Sequence, residues 1–295
     1  MVKQLSAIIT AFLFSTGALA KQCQDYFSLS ELEKLKQNQF KIAPDKKRND
    51  TAVKLLACLS HANPEIRDGT TFEALSHWLR KDKLEKATIK ELFNILVGIL
   101  TTQNSDKDNF TQPFAALVFS EVVRVDRVSS YLSDTERELA VNTAINYMTN
   151  VTDYRGYDDV EGWRHAVAHT GDVFLQLALN KATTKAQLDQ MLSAIVDQIV
   201  PSNNHFYIYG EPKRLAMPFA YIVLRGEHTE KELTEVFDLK RVSKSGAKFS
   251  PEKTKWFNQQ YMQLKSDSEL SDAFALILAE KGLKIENCYI EKVVS

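Results

Sequence analysis

Apolar residues recur along most of this chain at the three- and four-residue spacing of an α-helix. The clearest stripe is formed by Phe72, Leu75, Trp78 and Leu79, and it follows a helix-start signal at Asn63-Pro64-Glu65. The same spacing predicts further helices that begin at 31 or cover 52–59, 88–100, 114–123, 135–148, 160–179, 184–200, 211–224, 229–237, 251–264 and 269–281. Helices therefore dominate the predicted secondary structure.

Strand signals are sparse, with short β-prone runs only at 206–209 and 288–294. Helices joined by short loops, without alternation of strands and helices, are typical of an all-α fold. We predict an irregular α-solenoid of stacked helical hairpins, with a curled α/α layer as the alternative. Residues 21–295 are predicted to form a single all-helical domain with a soft boundary near 201–210.

The first 20 residues have the three parts of a secretory signal peptide: a basic start at Lys3, an apolar core from Leu5 to Leu19, and a small-residue end at Ala18-Leu19-Ala20. An uncleaved membrane anchor is the alternative. A bilayer span needs about 20 apolar residues, however, and this run is shorter and contains Ser and Thr. We therefore expect a signal peptide at 1–20, a periplasmic or secreted protein, and no transmembrane segment after cleavage.

Export would place the three cysteines, Cys23, Cys58 and Cys288, in an oxidising compartment. Cys23 and Cys58 flank the first predicted helix, so a disulfide between them is the preferred pairing. A Cys23–Cys288 pairing stays open, because connectivity cannot be derived from spacing alone.

Composition and charge narrow the function classes without identifying a reaction. With 44% hydrophobic and 25% charged residues, the chain is typical of a globular protein. Its 37 basic and 38 acidic side chains give a net charge of -1 without a basic block, which argues against nucleic-acid binding. No phosphate-binding loop, dinucleotide-binding glycine fingerprint or GxSxG motif is present. The expected partner is therefore a protein, a peptide or a small ligand.

The segment 153–172 is chemically the densest part of the chain. If its helix begins at 160, the side chains of Glu161, His165, His169 and Asp172 lie on one face. The opposite face is apolar and carries Trp163, Val167 and Phe174. Small residues beside the polar stripe would let another helix or a ligand approach closely: Ala166, Ala168 and Gly171.

Two imidazoles four residues apart on a helix can bind one metal ion, so His165 and His169 form a candidate site for zinc or another divalent metal. Asp172 could be a further ligand or accept the second ring N–H of His169. Another ligand would come from elsewhere in the chain, with Glu211 preferred and His205 next. The segment lacks the Glu after the first His that acts as general base in metalloprotease helices.

Two metal-free interpretations stay open. In the first, the polar face is architectural: each His bonds a carbonyl or an acid, and Arg155 or Arg164 pairs with an acid of the hairpin region. The acids available for that pairing are Asp158, Asp159 and Glu161. In the second, the same face lines a binding or catalytic site.

The central segment also resembles a known family. Tyr154-Arg155-Gly156, followed by Gly162-Trp163-x-His165-Ala166-x-Ala168-His169-x-x-Asp172, is similar to the hallmark of a bacterial family called domain of unknown function 2785. Two further stretches resemble weaker blocks of that family: Arg67-Asp68-Gly69 with Leu75-Ser76-x-Trp78-Leu79, and Glu211 with Arg214-Leu215-Ala216 ahead of Ile222-x-x-Arg225. The resemblance covers about 50 to 225. It implies an α-helical fold and a shared polar centre, but no chemistry.

These features define one candidate site and two hypotheses for its use. The site comprises Arg155, Asp158, Glu161, His165, His169, Asp172, Glu211 and Arg214. The leading hypothesis is an exported helical protein that uses this polar surface for binding or as a scaffold. The alternative is a metal-dependent hydrolase that uses the His165–His169 pair, so the sequence leaves open whether the protein is an enzyme.

Overall fold

The computed structural model describes residues 22–102, 106, 108–199, 201, 205–236 and 265–282. The chain divides into two compact units, Met1–Ser243 and Lys244–Ser295, and the soft boundary expected near 201–210 lies within the first. Several predictions concern positions outside the described residues: the signal peptide at 1–20, the helix at 251–264, and the run 288–294 with Cys288.

The first unit consists mainly of helices. In chain order they are α1 (Cys23–Tyr26), α2 (Leu29–Gln37), α3 (Asp45–Leu55), α4 (Pro64–Ile66), α5 (Glu73–Arg80), α6 (Lys86–Thr101), α7 (Thr111–Val128), α8 (Asp134–Asn150), α9 (Ala166–Ala178), α10 (Lys185–Asp197), α11 (Glu211–Leu224) and α12 (Glu230–Val236). A two-stranded antiparallel sheet, β1 (Tyr157–Asp158) and β2 (Gly162–Trp163), precedes α9. The all-α prediction is confirmed, whereas the solenoid of stacked hairpins stays a prediction.

The second unit contains α13, which covers Asp267–Glu280 and lies close to the helix predicted at 269–281. Ser266 accepts the backbone N–H of Glu269 and so caps its first turn. No helix in the described part of either unit is long and apolar enough to cross a bilayer.

Helix starts in the first unit follow local capping signals. The hydroxyl of Ser28 accepts the N–H of Glu31, and the Glu31 carboxylate accepts the N–H of Ser28 in return. Thr184 and Gln187 make the same reciprocal pair at the start of α10. Such boxes satisfy backbone N–H groups that have no partner within the helix, which explains why these two helices begin close to the predicted positions.

The bounds predicted for the helix at 52–59 are wrong. It begins earlier, as α3 at Asp45, and continues as a 3-10 segment over Leu56–Ser60. The polar run 45–51 has no apolar spacing, so the pattern missed the first turns of α3. A π-helical segment, Arg67–Phe72, joins α4 to α5.

The core of the first unit is centred on α7, which packs against α5, α6 and α9. Its residues Phe114, Val118 and Val122 recur every four positions and are fully buried. Phe119 meets Phe93 of α6 with 5.7 Å between the ring centroids. Since α9 contacts α11 as well as α7, these three helices determine where the candidate site residues lie.

Cys23 and Cys58 form a disulfide that links α1 to the 3-10 segment. Both residues are buried among the apolar side chains of the N-terminal helices. The pairing is the one preferred from the sequence, and it joins two segments that flank α2 and α3.

Candidate functional site

The chain enters α9 through the β1–β2 hairpin. Asp158 Oδ1 accepts the backbone N–H groups of Val160 and Glu161; these hydrogen bonds close the turn and lower the pKa of Asp158. Gly162 has a φ of 74°, a left-handed conformation that glycine adopts without strain. The prediction that 160–165 are helical is therefore wrong, because turn-forming residues here outweigh the apolar spacing.

His165 directly precedes α9 and has a φ of 62°. A left-handed conformation at a residue other than glycine costs about 1–3 kcal/mol and needs support from its surroundings. Backbone hydrogen bonds from Arg164 to Gly156 and from His165 to Arg155 provide that support. The imidazole stacks on the Trp163 ring, with 4.6 Å between centroids and 20° between planes. The hairpin, rather than helix periodicity, thus sets the direction of this side chain.

His169 lies inside α9 and is 4% exposed. Its Nδ1 is 2.9 Å from the carbonyl oxygen of Pro113, and because a carbonyl only accepts, Nδ1 carries the proton. Burial, followed by the charge of Arg214 and the ring of His165, lowers the pKa of His169 well below its ordinary value. His169 is therefore a neutral imidazole fixed by α7, and its centroid is 5.7 Å from that of His165.

Glu211, the first residue of α11, forms a buried pair with His165. Glu211 Oε1 lies 3.3 Å from His165 Nε2, and the side chains are only 2% and 7% exposed, respectively. Burial acts to raise the pKa of Glu211, but contacts with His165 and with backbone N–H groups outweigh it and lower that pKa. Glu211 Oε2 accepts the N–H of Tyr209 at 2.9 Å. Within the described chain, neither Oε1 nor Nε2 has a hydrogen-bond partner of acceptable geometry.

Asp172 and Arg214 form an ion pair between α9 and α11, and their side chains are 26% and 34% exposed. Burial raises the pKa of Asp172, while Arg214 opposes that rise. The helices approach closely here, since a Cβ at Gly171 would lie 2.7 Å from the carbonyl oxygen of Arg214. The small residue at this position therefore permits the helix contact that the sequence indicated.

The ion pair lies in an open cleft of about 300 Å³. The cleft is lined by Asp172, Leu175, Tyr209, Gly210, Lys213, Arg214 and Met217. Lys213 forms no ion pair with any residue that the structure describes. The cleft therefore combines one carboxylate, two cationic groups and an apolar wall.

A larger cavity of about 490 Å³ lies between the loop before α3 and the end of α5. It is lined by Phe40, Lys41, Ile42, Ala43, Asp45, Arg48, His77, Trp78, Asp82 and Lys83. Arg48 donates to the carbonyl oxygens of Ile42 and Lys83 and pairs with Asp45. Among the described lining residues, no buried side-chain polar atom lacks a hydrogen bond. The smaller cleft is therefore the stronger candidate.

Arg67 connects the N-terminal helices to the hairpin. It is fully buried, and its Nη2 donates to the carbonyl oxygens of Glu161 at 2.5 Å and Trp163 at 3.3 Å. Its guanidinium lies 3.7 Å from the ring centroid of Phe110, and that of Arg164 lies 4.3 Å from the same centroid. Burial lowers the pKa of Arg67 to about 10, so the group stays charged at neutral pH. Helical spacing gave no sign of this role.

Arg155 and Glu161, both predicted site residues, serve the loop and hairpin. Arg155 pairs with Asp153, which was not among the acids expected for it. Glu161 pairs with Arg164 at 2.9 Å, as the architectural interpretation predicted. Neither predicted residue lines the cleft.

Of the predicted metal ligands, His165 lies beside Glu211, and its ring centroid is 5.7 Å from that of His169. Within the described residues, no three His, Cys, Asp or Glu side chains are placed to hold a metal ion. His169 is bonded through Nδ1 to a carbonyl, and Asp172 is held in an ion pair with α11. Neither Glu211 nor His205 completes a metal group with His165.

Sequence reasoning missed Lys213 and Met217, which line the cleft on α11. They are four residues apart and share a helix face, so placing that face beside Asp172 would have identified them. The sequence indicates Tyr209 only as part of the β-prone run 206–209. Tyr209 is 38% exposed, and its ring lies perpendicular to that of Trp163 with 5.8 Å between centroids, so the residue both packs on the hairpin and borders the cleft.

Comparison with known proteins gives one family and several partial matches. The model of the family described as "Protein of unknown function (DUF2785)" matches residues 95–266. The glutamate–tRNA ligase of Flavobacterium psychrophilum is 53% identical over 64 residues, which are 22% of this chain and 13% of the ligase. Those of Flavobacterium johnsoniae and Parabacteroides distasonis are 50% and 48% identical over 64 and 63 residues, or 22% and 21% of this chain and 13% and 12% of each ligase. No solved structure matches this chain.

Proposed function

Because this chain belongs to the family described as protein of unknown function (DUF2785), a description that states no activity, we propose a function from the site itself: binding of a small polar ligand in the cleft between α9 and α11. One observation carries this proposal. Three buried side-chain atoms where α11 meets α9 and its hairpin make no hydrogen bond within the described chain: His165 Nε2 and Glu211 Oε1, which form an ion pair with each other, and Arg214 Nε, whose residue lines the cleft.

Unsatisfied buried polar groups are rare in folded proteins, and each costs about 1–3 kcal/mol. Here His165 Nε2 and Glu211 Oε1 face each other at 3.3 Å, and Arg214 lies one helical turn after Glu211. The left-handed backbone at His165 adds strain at the same place. Other buried atoms of the described chain also lack a hydrogen bond, but here three of them and a strained backbone occur together, an arrangement that a bound molecule could complete.

The dimensions of the cleft favour a small ligand over a protein surface. Its volume of about 300 Å³ lies at the lower end of the range for small-molecule sites. Its lining combines a few charged groups with the apolar side chains of Leu175 and Met217, the usual composition of such sites. The proposal assigns no reaction, and a binding role requires none.

A ligand screen tests this function. The purified protein is screened by saturation-transfer NMR against a library of polar metabolites, together with Arg214→Gln and the matched control Lys36→Gln. Lys36 forms a surface ion pair with Glu65, is 44% exposed and lies outside the cleft lining. We expect at least one compound to bind wild type and the control equally and Arg214→Gln at least tenfold more weakly.

The proposal is overturned if no compound binds, or if every compound that binds does so equally well to Arg214→Gln. Circular dichroism establishes that each variant is folded. If Arg214→Gln does not fold, Lys213→Gln replaces it, because Lys213 is exposed and forms no ion pair with the described residues.

We further propose that the protein works in an oxidising compartment outside the cytoplasm. The disulfide between Cys23 and Cys58 supports this location, because such bonds are rare in reducing compartments. Cell fractionation with mass spectrometry of the N-terminus tests it. The expected product begins at Lys21 and is found outside the cytoplasm, and an intact N-terminus in the cytoplasmic fraction would overturn the proposal.

A further inference from the structure

Charge is divided between the two helices that line the cleft. Asp172 projects from α9, whereas Lys213 and Arg214 belong to α11. The rest of the lining is mainly apolar or aromatic: Leu175, Tyr209 and Met217. An acid beside two bases complements a molecule that itself carries both charges.

The Asp172–Arg214 pair is open to exchange with such a molecule. Both side chains are partly exposed, and Asp172 has no other side-chain hydrogen bond to the described residues. Lys213 is exposed next to Arg214 and has no ion-pair partner there. An incoming ammonium and carboxylate would each replace one half of the internal pair, so neither Asp172 nor Arg214 would be left without an opposite charge.

We propose that the ligand is a small zwitterion of the α-amino-acid class, an inference that rests on the proposed function. The ammonium group binds Asp172, and the carboxylate binds Lys213 and Arg214. The apolar side chain of the ligand contacts Leu175 and Met217.

Ligands with a single charge fit less well, for an electrostatic reason. A simple anion that takes Arg214 away from Asp172 leaves a partly buried carboxylate without a counter-charge, and a simple cation on Asp172 does the same to Arg214. Separating one member of a partly buried pair costs more than the pair itself contributes. A multiply charged anion is opposed as well, because the Asp172 carboxylate lies beside Arg214.

Matched ligands test this inference directly. L-leucine is titrated by isothermal calorimetry beside 3-methylbutylamine, which lacks its carboxylate, and 4-methylpentanoate, which lacks its ammonium; L-methionine is a second zwitterion. We expect both amino acids to bind at least tenfold more tightly than either leucine analogue. Asp172→Asn should weaken L-leucine at least tenfold but leave 4-methylpentanoate unchanged or tighter. Lys213→Gln should weaken L-leucine but not 3-methylbutylamine. Lys36→Gln and Glu65→Gln serve as surface controls.

The inference fails if either analogue binds as tightly as L-leucine, or if Asp172→Asn binds L-leucine normally. It also fails, while the proposed function survives, if neither amino acid binds but another compound from the screen binds in an Arg214-dependent way. Both fail if no compound depends on Arg214, so the two ideas are separated by experiment.

Discussion

The close contact between α9 and α11 can be tested by adding one methyl group. Gly171→Ala would place a Cβ 2.7 Å from the carbonyl oxygen of Arg214. Gly98→Ala is the matched control, because Gly98 lies on the exposed side of α6 and an added Cβ there meets nothing within 4 Å. Both glycines are inside helices, so the two substitutions differ mainly in what the new methyl group contacts.

The expected effects have opposite signs. Alanine is more favourable than glycine inside a helix by roughly 0.5–1 kcal/mol, so Gly98→Ala should raise the free energy of unfolding by about that amount. At Gly171 the same gain is opposed by overpacking, which costs about 1–3 kcal/mol. The opposing atom belongs to the backbone and cannot turn away as a flexible side chain can. The two variants should therefore differ in unfolding free energy by about 1–3 kcal/mol.

Urea unfolding followed by circular dichroism measures both variants against wild type. Because the contact at Gly171 positions Arg214 beside Asp172, Gly171→Ala should also weaken any Arg214-dependent ligand, whereas Gly98→Ala should not. If Gly171→Ala proves as stable as Gly98→Ala and binds ligand normally, the described approach of the two helices is refuted.

Three further perturbations probe the framework of the site. Burial keeps the pKa of His169 well below 6.5. As the pH is lowered, the unfolded chain therefore binds a proton at this residue at a higher pH than the folded chain does, and the free energy of unfolding falls below pH 6.5. In urea titrations across pH, His169→Gln should flatten that slope by up to about 1.4 kcal/mol per pH unit; an unchanged slope contradicts the assignment. Replacing both Cys23 and Cys58 by Ser should lower the unfolding free energy, measured by urea unfolding, by about 2–4 kcal/mol. Added reductant should destabilise the wild type but have no effect on that variant. Arg67→Met should cost at least about 3 kcal/mol, because it leaves buried carbonyl oxygens without donors, whereas the exposed Arg155→Met should change stability little.

Local sequence signals were sufficient for most helices. The predicted range 211–224 coincides with α11, whose start is marked by a glycine followed by Glu211 and Pro212. They were also sufficient to select residues that meet in the structure, since His165 contacts Glu211 and Asp172 contacts Arg214. The residues of these contacts could be selected because each lies in a segment rich in charged or imidazole side chains.

Helical periodicity failed just before α9. Trp163 and Val167 are four positions apart and resemble one face of a helix. The residues before Trp163 form a turn instead, in which Asp158 accepts backbone N–H groups and Gly162 is left-handed. The spacing of apolar residues does not reveal a left-handed residue. The pattern therefore predicted that His165 lies on a helix face, whereas it precedes the helix. The metal hypothesis assumed that face; no three candidate ligands come together within the described residues, and the hypothesis stays a prediction.

The polar centre depends on contacts between segments distant in the chain, which no local pattern expresses. Arg67 holds the hairpin through Glu161 and Trp163, and Trp163 in turn stacks on His165. The buried charge of Arg67 is tolerated because carbonyl oxygens and aromatic rings replace water around it. The position of the His165 ring relative to Glu211 is therefore set by an arginine almost 100 positions earlier in the chain, in the π-helical segment before α5. This connection gives a physical reason why the Arg67-Asp68-Gly69 stretch occurs together with the central histidine segment and the Glu211–Arg214 stretch in the resemblance to the family. The Arg67-Asp68-Gly69 stretch does not border the cleft, whereas the other two segments do.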